Sequence, residues 1–202
     1  KALKNVRRSL SRRIEKAKGE YALFINSDDI LLKNFSNKKI IKALYEKSFD
    51  YIVSPVIYFQ RPSFKIKRIF LFKEKSKNIF SSLIFSPYPG HPGFICRRSL
   101  LLKYKFNLKY SLSADYLLMQ EIINQKSLKK LFLSFPISAM ATGGITGTKK
   151  GVLKGIKKIK EIDKKLKTKN ILIFRYIRNI LQHLYPLIIN YKIEFDKNEY
   201  KR

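Results

Sequence analysis

Histidine and cysteine are nearly absent from this 202-residue chain, which holds two histidines and a single cysteine, Cys96. A lone cysteine rules out a disulfide framework, and two histidines cannot complete a Cys/His zinc cluster, so any metal has to be held by oxygen ligands. Acids are scarce too: 14 Asp plus Glu stand against 44 Lys plus Arg, a formal charge of +30. A long uninterrupted apolar run is also lacking. The nearest, Ile171 to Ile189, is broken by Arg175, Arg178, Gln182 and His183. A charge near a helix centre costs about 2.5–3.5 kcal/mol on insertion scales, so this stretch is read as a peripheral helix and not as a span. The chain opens Lys1-Ala2-Leu3-Lys4, with neither Met nor a signal peptide, and is read as a fragment or a truncated reading frame.

What is present suffices for a core. Hydrophobic residues make up 45 %, with 15 Phe and 12 Tyr, which excludes disorder throughout and suits one domain with appended elements. Lys is preferred to Arg, and Ile, Asn, Phe and Tyr are abundant, as an AT-rich coding sequence would give without selection for a partner. The excess charge nevertheless makes a positive field that favours nucleic acid, acidic lipid surfaces or phosphorylated substrates.

Leu3, Val6, Leu10, Ile14 and Ala17 recur at helical spacing up to Gly19, predicting an amphipathic helix. Glu20 to Ile25 is an apolar run expected to form a strand buried on both faces, ending in Asn26-Ser27-Asp28-Asp29. A helix is expected over Asn37–Lys47, a strand over Tyr51–Phe59, and a hairpin or irregular insert over 60–85. Prolines and glycines make a rigid loop around His91, followed by a strand at Phe94–Cys96 and a helix at Arg98–Tyr104. The spacing then predicts a helix over Tyr116–Gln125 capped by Ser113, short strands at 131–133 and 137–141, a glycine-rich turn at 142–147, and a basic helix over Lys149–Lys169. A basic helix followed by an amphipathic one fits an anionic membrane surface, and equally fits two helices packed on the domain.

With acids this rare, their placement is informative. Asp28 and Asp29 stand together at a strand end despite mutual repulsion, which a bound cation would relieve; alternatively, one of them caps the next segment. Asp115 is the one acid between Glu74 and Glu121. Just before a helix, it could accept backbone N–H groups as a cap or act as a general base for a hydroxyl.

Three ordered segments carry a resemblance. Lys18-Gly19-Glu20-Tyr21-Ala22-Leu23-Phe24-Ile25-Asn26-Ser27-Asp28-Asp29 resembles a signature of the family 2 glycosyltransferases. So do His91-Pro92-Gly93-Phe94-Ile95-Cys96-Arg97-Arg98 through Ser113-Ala114-Asp115-Tyr116-Leu117-Leu118, and Gly143-Gly144-Ile145-Thr146. Together they cover residues 10 to 150.

The resemblance implies an α/β fold of the GT-A (Rossmann-like) type, incomplete at the N-terminus and with C-terminal helices. It divides the chain into a partial catalytic domain, 1–148, and a basic amphipathic helical region, 149–202. The implied activity is inverting transfer of a sugar from a nucleotide-sugar donor, a UDP-sugar foremost, to a hydroxyl of a surface-glycan or lipid-linked acceptor. Asp28 would bind Mg²⁺ or Mn²⁺ and Asp115 would be the catalytic base. Asn26, Asp29, His91, Tyr116, Gly143, Gly144 and Thr146 would contact substrate. The expected location is cytoplasmic, peripheral on the inner face of the cell membrane.

In this family a strand and loop that bind the nucleotide base come before the first of these segments. Nothing corresponding stands before it here, so weak or absent donor binding is expected of the chain as it stands. An inactive remnant that serves at most as a membrane-surface interaction protein is the alternative. A nucleic-acid-binding module is a further rival, suggested by basic and aromatic interleaving at Phe64–Lys77 and Arg97–Tyr110. No helix-turn-helix, zinc finger or RNA-binding signature accompanies it, so no specific nucleic-acid partner is expected.

Overall fold

The computed structural model describes residues 2–73, 85–86, 88–110, 113–143, 149–167, 177–178 and 180–184. It is a mixed α/β protein with two small mixed sheets. Helix α1 (Ala2–Lys16) leads to strand β1 (Tyr21–Ala22), strand β2 (Ile30–Leu31) and helix α2 (Lys38–Tyr45), whose first turn is capped by the Asn37 side chain accepting the Lys39 N–H. Strands β3 (Tyr51–Val53), β4 (Val56–Gln60) and β5 (Lys65–Phe70) follow, then β6 (Phe94–Arg97), helices α3 (Arg98–Tyr104) and α4 (Ala114–Ile123), strands β7 (Lys130–Phe132) and β8 (Ser138–Ala141), and helix α5 (Lys149–Lys165).

The first sheet has the order β1-β6-β3-β7, antiparallel except for the parallel pair β3 and β7; the second has the order β2-β8-β4-β5, with β4 and β8 parallel. Alternation along β3 decides what each face covers. Tyr51 and Val53 join Ile14, Leu101, Leu118 and Ile122 under α1, α3 and α4, while Ile52 joins Ile40 and Ala43 of α2 on the other face. The central strands are thus buried on both sides, and each large aliphatic side chain so placed contributes about 1.5–3 kcal/mol.

Two strands depart from the sequence reading. The strand expected over Tyr51–Phe59 breaks at Ser54-Pro55, because proline has no N–H to continue the ladder, and its halves enter different sheets. The Ser54 hydroxyl closes the seam: it lies 2.8 Å from the Pro55 carbonyl and 3.0 Å from that of Phe135, and it accepts the Ile137 N–H at 3.0 Å. The strand expected to be buried on both faces over Glu20–Ile25 shrinks to β1. Among the described residues it pairs with β6 alone, so Tyr21 and Ala22 are half-buried and Ile25 is exposed.

The adjacent arginines of the second motif tie this edge together. Arg97 pairs with Glu20 and with Asp50 (3.0 Å) and lies over the Tyr21 ring. The Lys47 ammonium and the Arg97 guanidinium hold the Glu20 carboxyl below its ordinary value. Arg98 donates to the carbonyls of Ile14 and Glu15, both at 2.8 Å, satisfying acceptors that the end of α1 leaves open. The helix stops at Lys16, before Gly19.

At the C-terminal side, α5 turns Ile162 into a cluster with Tyr110, Tyr116 and Leu117, half-buries Ile159 and Leu166, and leaves Lys154, Lys157, Lys160 and Lys164 exposed. Residues 177–178 and 180–184 are helical, with Arg178 donating to the Phe85 carbonyl at 3.1 Å. No helix among the described residues is long and apolar enough to cross a membrane.

Candidate active site

The turn that follows β1 is folded by its own acid. The Asp29 N–H donates to the Asn26 carbonyl and the Asn26 N–H returns to Asp29 Oδ2, both at 3.1 Å. Asp29 is buried, and loss of solvent pushes its carboxyl above the ordinary 3.8; the Asn26 N–H and His91 oppose this, and Asp28 adds to it. Asp28, by contrast, is exposed, and its carbonyl accepts from Arg61 Nη2 at 3.2 Å. The Arg61 guanidinium lies 5.8 Å from the centroids of both the Phe59 and Phe64 rings, which hold it beside this turn.

His91 opens a short 3-10 turn, His91–Gly93, that leads into β6. Two glycines let this turn lie against the sheet seam. A Cβ on Gly93 would meet the Ser54 carbonyl oxygen at 2.5 Å, and one on Gly90 would meet Val56 Cγ2 at 2.8 Å. The position of the imidazole is therefore set by backbone packing. The Asn26 Nδ2 amide donates to His91 Nε2 at 3.0 Å, and Asp29 Oδ2 lies 3.8 Å from the same nitrogen. On the ring's other side, Nδ1 is 3.9 Å from Asp115 Oδ2.

Asp115 sits in the first turn of α4, where its Oδ1 accepts the Tyr116 N–H at 3.0 Å. One of its oxygens thus takes a backbone N–H and the other faces the imidazole. Ser113, expected to cap α4, occupies the N-cap position without a side-chain hydrogen bond.

These groups form the polar wall of a pocket, with Asn26, His91 and Asp115 facing Leu10, Phe24, Phe94, Leu101, Phe106, Leu118 and Met119. Phe24 and Phe106 meet edge to face at 5.5 Å. No sequence signal marks these apolar walls, since core packing and pocket lining call for the same side chains.

Four of the expected site residues, Asn26, Asp29, His91 and Asp115, therefore converge from segments up to 89 positions apart. Asp28 lies beside them on the same turn. Tyr116 does not join them: its ring packs against Tyr88 at 4.7 Å and its hydroxyl donates to Asp163 of α5. Successive residues of a helix point about 100° apart, so Asp115 and Tyr116 cannot serve one site side by side. Gly143 has the left-handed φ of 104° that glycine tolerates, with open space about it. Gly144 and Thr146 lie outside the described residues. Among the described residues, no three His, Cys, Asp or Glu side chains gather in a way that could hold a metal by themselves.

No protein-family model and no curated protein matches the chain. Among solved structures it is similar to a crystal structure of S. aureus TarS 1-349 in complex with UDP, at 16 % identity and a TM-score of 0.48, covering 91 % of this chain and 54 % of that one. A crystal structure of S. aureus TarS is similar at 15 % identity and a TM-score of 0.49, covering 93 % of this chain and 33 % of that one. The chain thus spans about half of the first and a third of the second.

Proposed function

We propose that this chain carries the acceptor and base part of an inverting glycosyltransferase of the GT-A type, related to family 2 and using a UDP-sugar donor. One observation carries the reading: Asp115 Oδ2 faces a pocket beside an imidazole and the Asn26–Asp29 turn, while its partner oxygen is fixed to the backbone. In inverting transfer an acceptor hydroxyl attacks the anomeric carbon from the face opposite the leaving group. Its proton passes to Asp115 Oδ2, and the bond to the nucleoside diphosphate breaks. A single base and a stabilised leaving group suffice, whereas a glycosidase needs two carboxyl groups across the scissile bond.

Mg²⁺ or Mn²⁺ suits the donor set, because such ions bind through one or two carboxylates together with substrate phosphates and need no three-residue cage. Asp28, exposed on the turn, would hold it. When bound, the ion supplies charge neutralisation at the departing diphosphate. Asn26 and Asp29 shape the turn that presents Asp28, and the Arg61 guanidinium adds a fixed positive charge beside it.

The acceptor in this reading is a surface glycan or lipid-linked glycan. The exposed lysines of α5 support placement at the anionic inner face of the cell membrane, each contributing about 1 kcal/mol near such a surface.

Calorimetric titration of the 202-residue chain with UDP, GDP and CDP, with and without Mn²⁺, tests the donor half. Metal-dependent binding of one nucleotide, weak in this chain and lost in Asp28→Ala, would support the reading. A folded chain that binds none of them would instead support the reading as an inactive remnant.

A further inference from the structure

We propose that the helical residues 180–184 form a lipid-insertion surface, through which the chain seats Ile180, Leu181 and Leu184 in the interface of an anionic membrane. This deepens the membrane placement proposed above, and it stands apart from the transfer of a sugar.

A helix packed on a globular domain ordinarily turns its apolar stripe inward and its polar side to water. Here the arrangement is reversed. Arg178 and Gln182 are 7 % and 2 % exposed, and they donate to the carbonyls of Phe85 (3.1 Å) and Leu71 (3.5 Å). Positions four apart share a helix face, so both look toward the domain. Ile180 and Leu184, also four apart, lie on the other side with Leu181 beside them, at 48 %, 46 % and 38 % exposure. Polar groups thus hold the segment to the protein while its aliphatic side chains face outward. Adjacent exposed aliphatics of this kind mark an interaction site, where single ones would not.

Charge decides the occupant. At a net charge of +30, two copies meeting by this face would bring like charges together, whereas an anionic bilayer attracts them. Cations stand beside the apolar face: partial loss of solvent, and then the charges of Arg68 and Lys67, hold the His183 imidazole below its ordinary 6.5, and Lys67 is exposed. Aliphatic side chains bordered by lysine are what lets a helix lie within the headgroup region. The lysines of α5 supply attraction; insertion needs this apolar face as well.

The chain contains no tryptophan, so Leu184→Trp places one fluorophore on the apolar face, and Tyr45→Trp places one on the exposed side of α2 as a control. Each full-length variant is mixed with vesicles of phosphatidylethanolamine and phosphatidylglycerol, and separately with phosphatidylcholine vesicles. With the anionic vesicles, the emission of Leu184→Trp should shift to the blue and be quenched by lipids brominated in the acyl chain, far more than with phosphatidylcholine. The emission of Tyr45→Trp should not move. In the chain without tryptophan, Leu181→Gln combined with Leu184→Gln should weaken sedimentation with anionic vesicles by about tenfold or more. Its melting temperature should be unchanged, because these side chains are already in water.

Unmoved emission of Leu184→Trp in a chain that sediments with the vesicles would mean adsorption by charge alone, and overturns insertion; so does a lack of vesicle binding. A lowered melting temperature of the double variant would show the face to be covered within the chain, and overturns it too. Blue-shifted emission without lipid that grows with protein concentration, alongside a dimer in sedimentation velocity, would assign the face to a second copy instead. None of these readouts uses a nucleotide. Failure here with nucleotide binding intact removes the membrane placement and leaves the sugar-transfer reading standing, and insertion without nucleotide binding does the reverse.

Discussion

The hydroxyl of Tyr116 donates to the Asp163 carboxylate, joining α4 to α5 across a cluster that includes Tyr110, Leu117 and Ile162. The tie pulls Tyr116 away from the pocket that its neighbour Asp115 faces. Tyr116→Phe keeps the ring contact with Tyr88 and removes only the hydrogen bond. A bond to a half-buried charged group is worth about 1–2 kcal/mol here, and the variant should lose that much in urea unfolding. Nucleotide binding should not change. A loss of binding at unchanged stability would return Tyr116 to the list of substrate contacts.

Gly93→Ala tests whether backbone packing places the imidazole. The new Cβ meets a carbonyl oxygen of the sheet seam at 2.5 Å, which no side-chain rotation relieves. Overpacking of this kind costs about 1–3 kcal/mol. The variant should melt at lower temperature, and the Asn26 to His91 contact should be weakened, visible as exchange broadening of the His91 ring signals. Wild-type melting together with unchanged ring signals would mean that the turn can move off Ser54 without consequence.

What was legible in the sequence follows a physical line. Helices α2 and α3 and strands β6 to β8 were read to within a few residues, because each is signalled locally by periodicity or by bounding glycines and prolines. The acids were legible because they are scarce. The break between β3 and β4 is signalled only by Pro55, and the apolar run on both sides of it has the pattern of one strand. The contact of Asn26 with His91 spans 65 positions, and no local pattern carries it. The displacement of Tyr116 depends on where α5 docks, which its own stripe of Ile159, Ile162 and Leu166 does not specify.

Cys96 offers a probe of the central sheet. It is fully buried on β6, between β1 and β3, and loss of solvent pushes its thiol well above the ordinary value. The thiolate is the reactive form, so both access and ionisation protect it. Alkylation in native buffer should be slow and should accelerate only with opening of the sheet, so that its rate under mild denaturant reports the free energy of that opening. Rapid labelling of the folded chain would show that the short edge strand β1 detaches on its own.

Asp29 should give the chain an acid-side dependence of stability opposite in sign to that of a salt-bridged carboxylate. Burial raises its folded midpoint above the ordinary 3.8, so between these two values the native state binds the proton more tightly than the unfolded chain does. Stability linked to this group is fully present below 3.8 and is lost as pH rises through the folded midpoint, at about 1.4 kcal/mol per pH unit separating the two. Asp29→Asn keeps an oxygen that can accept the Asn26 N–H and carries no charge to bury. Its stability relative to wild type should therefore rise across that window and level off above it, in urea unfolding measured from pH 3 to pH 7. A relative stability that falls with pH would show that contacts to the ionised carboxylate outweigh the loss of solvent, and that Asp29 is held as an anion in the folded chain.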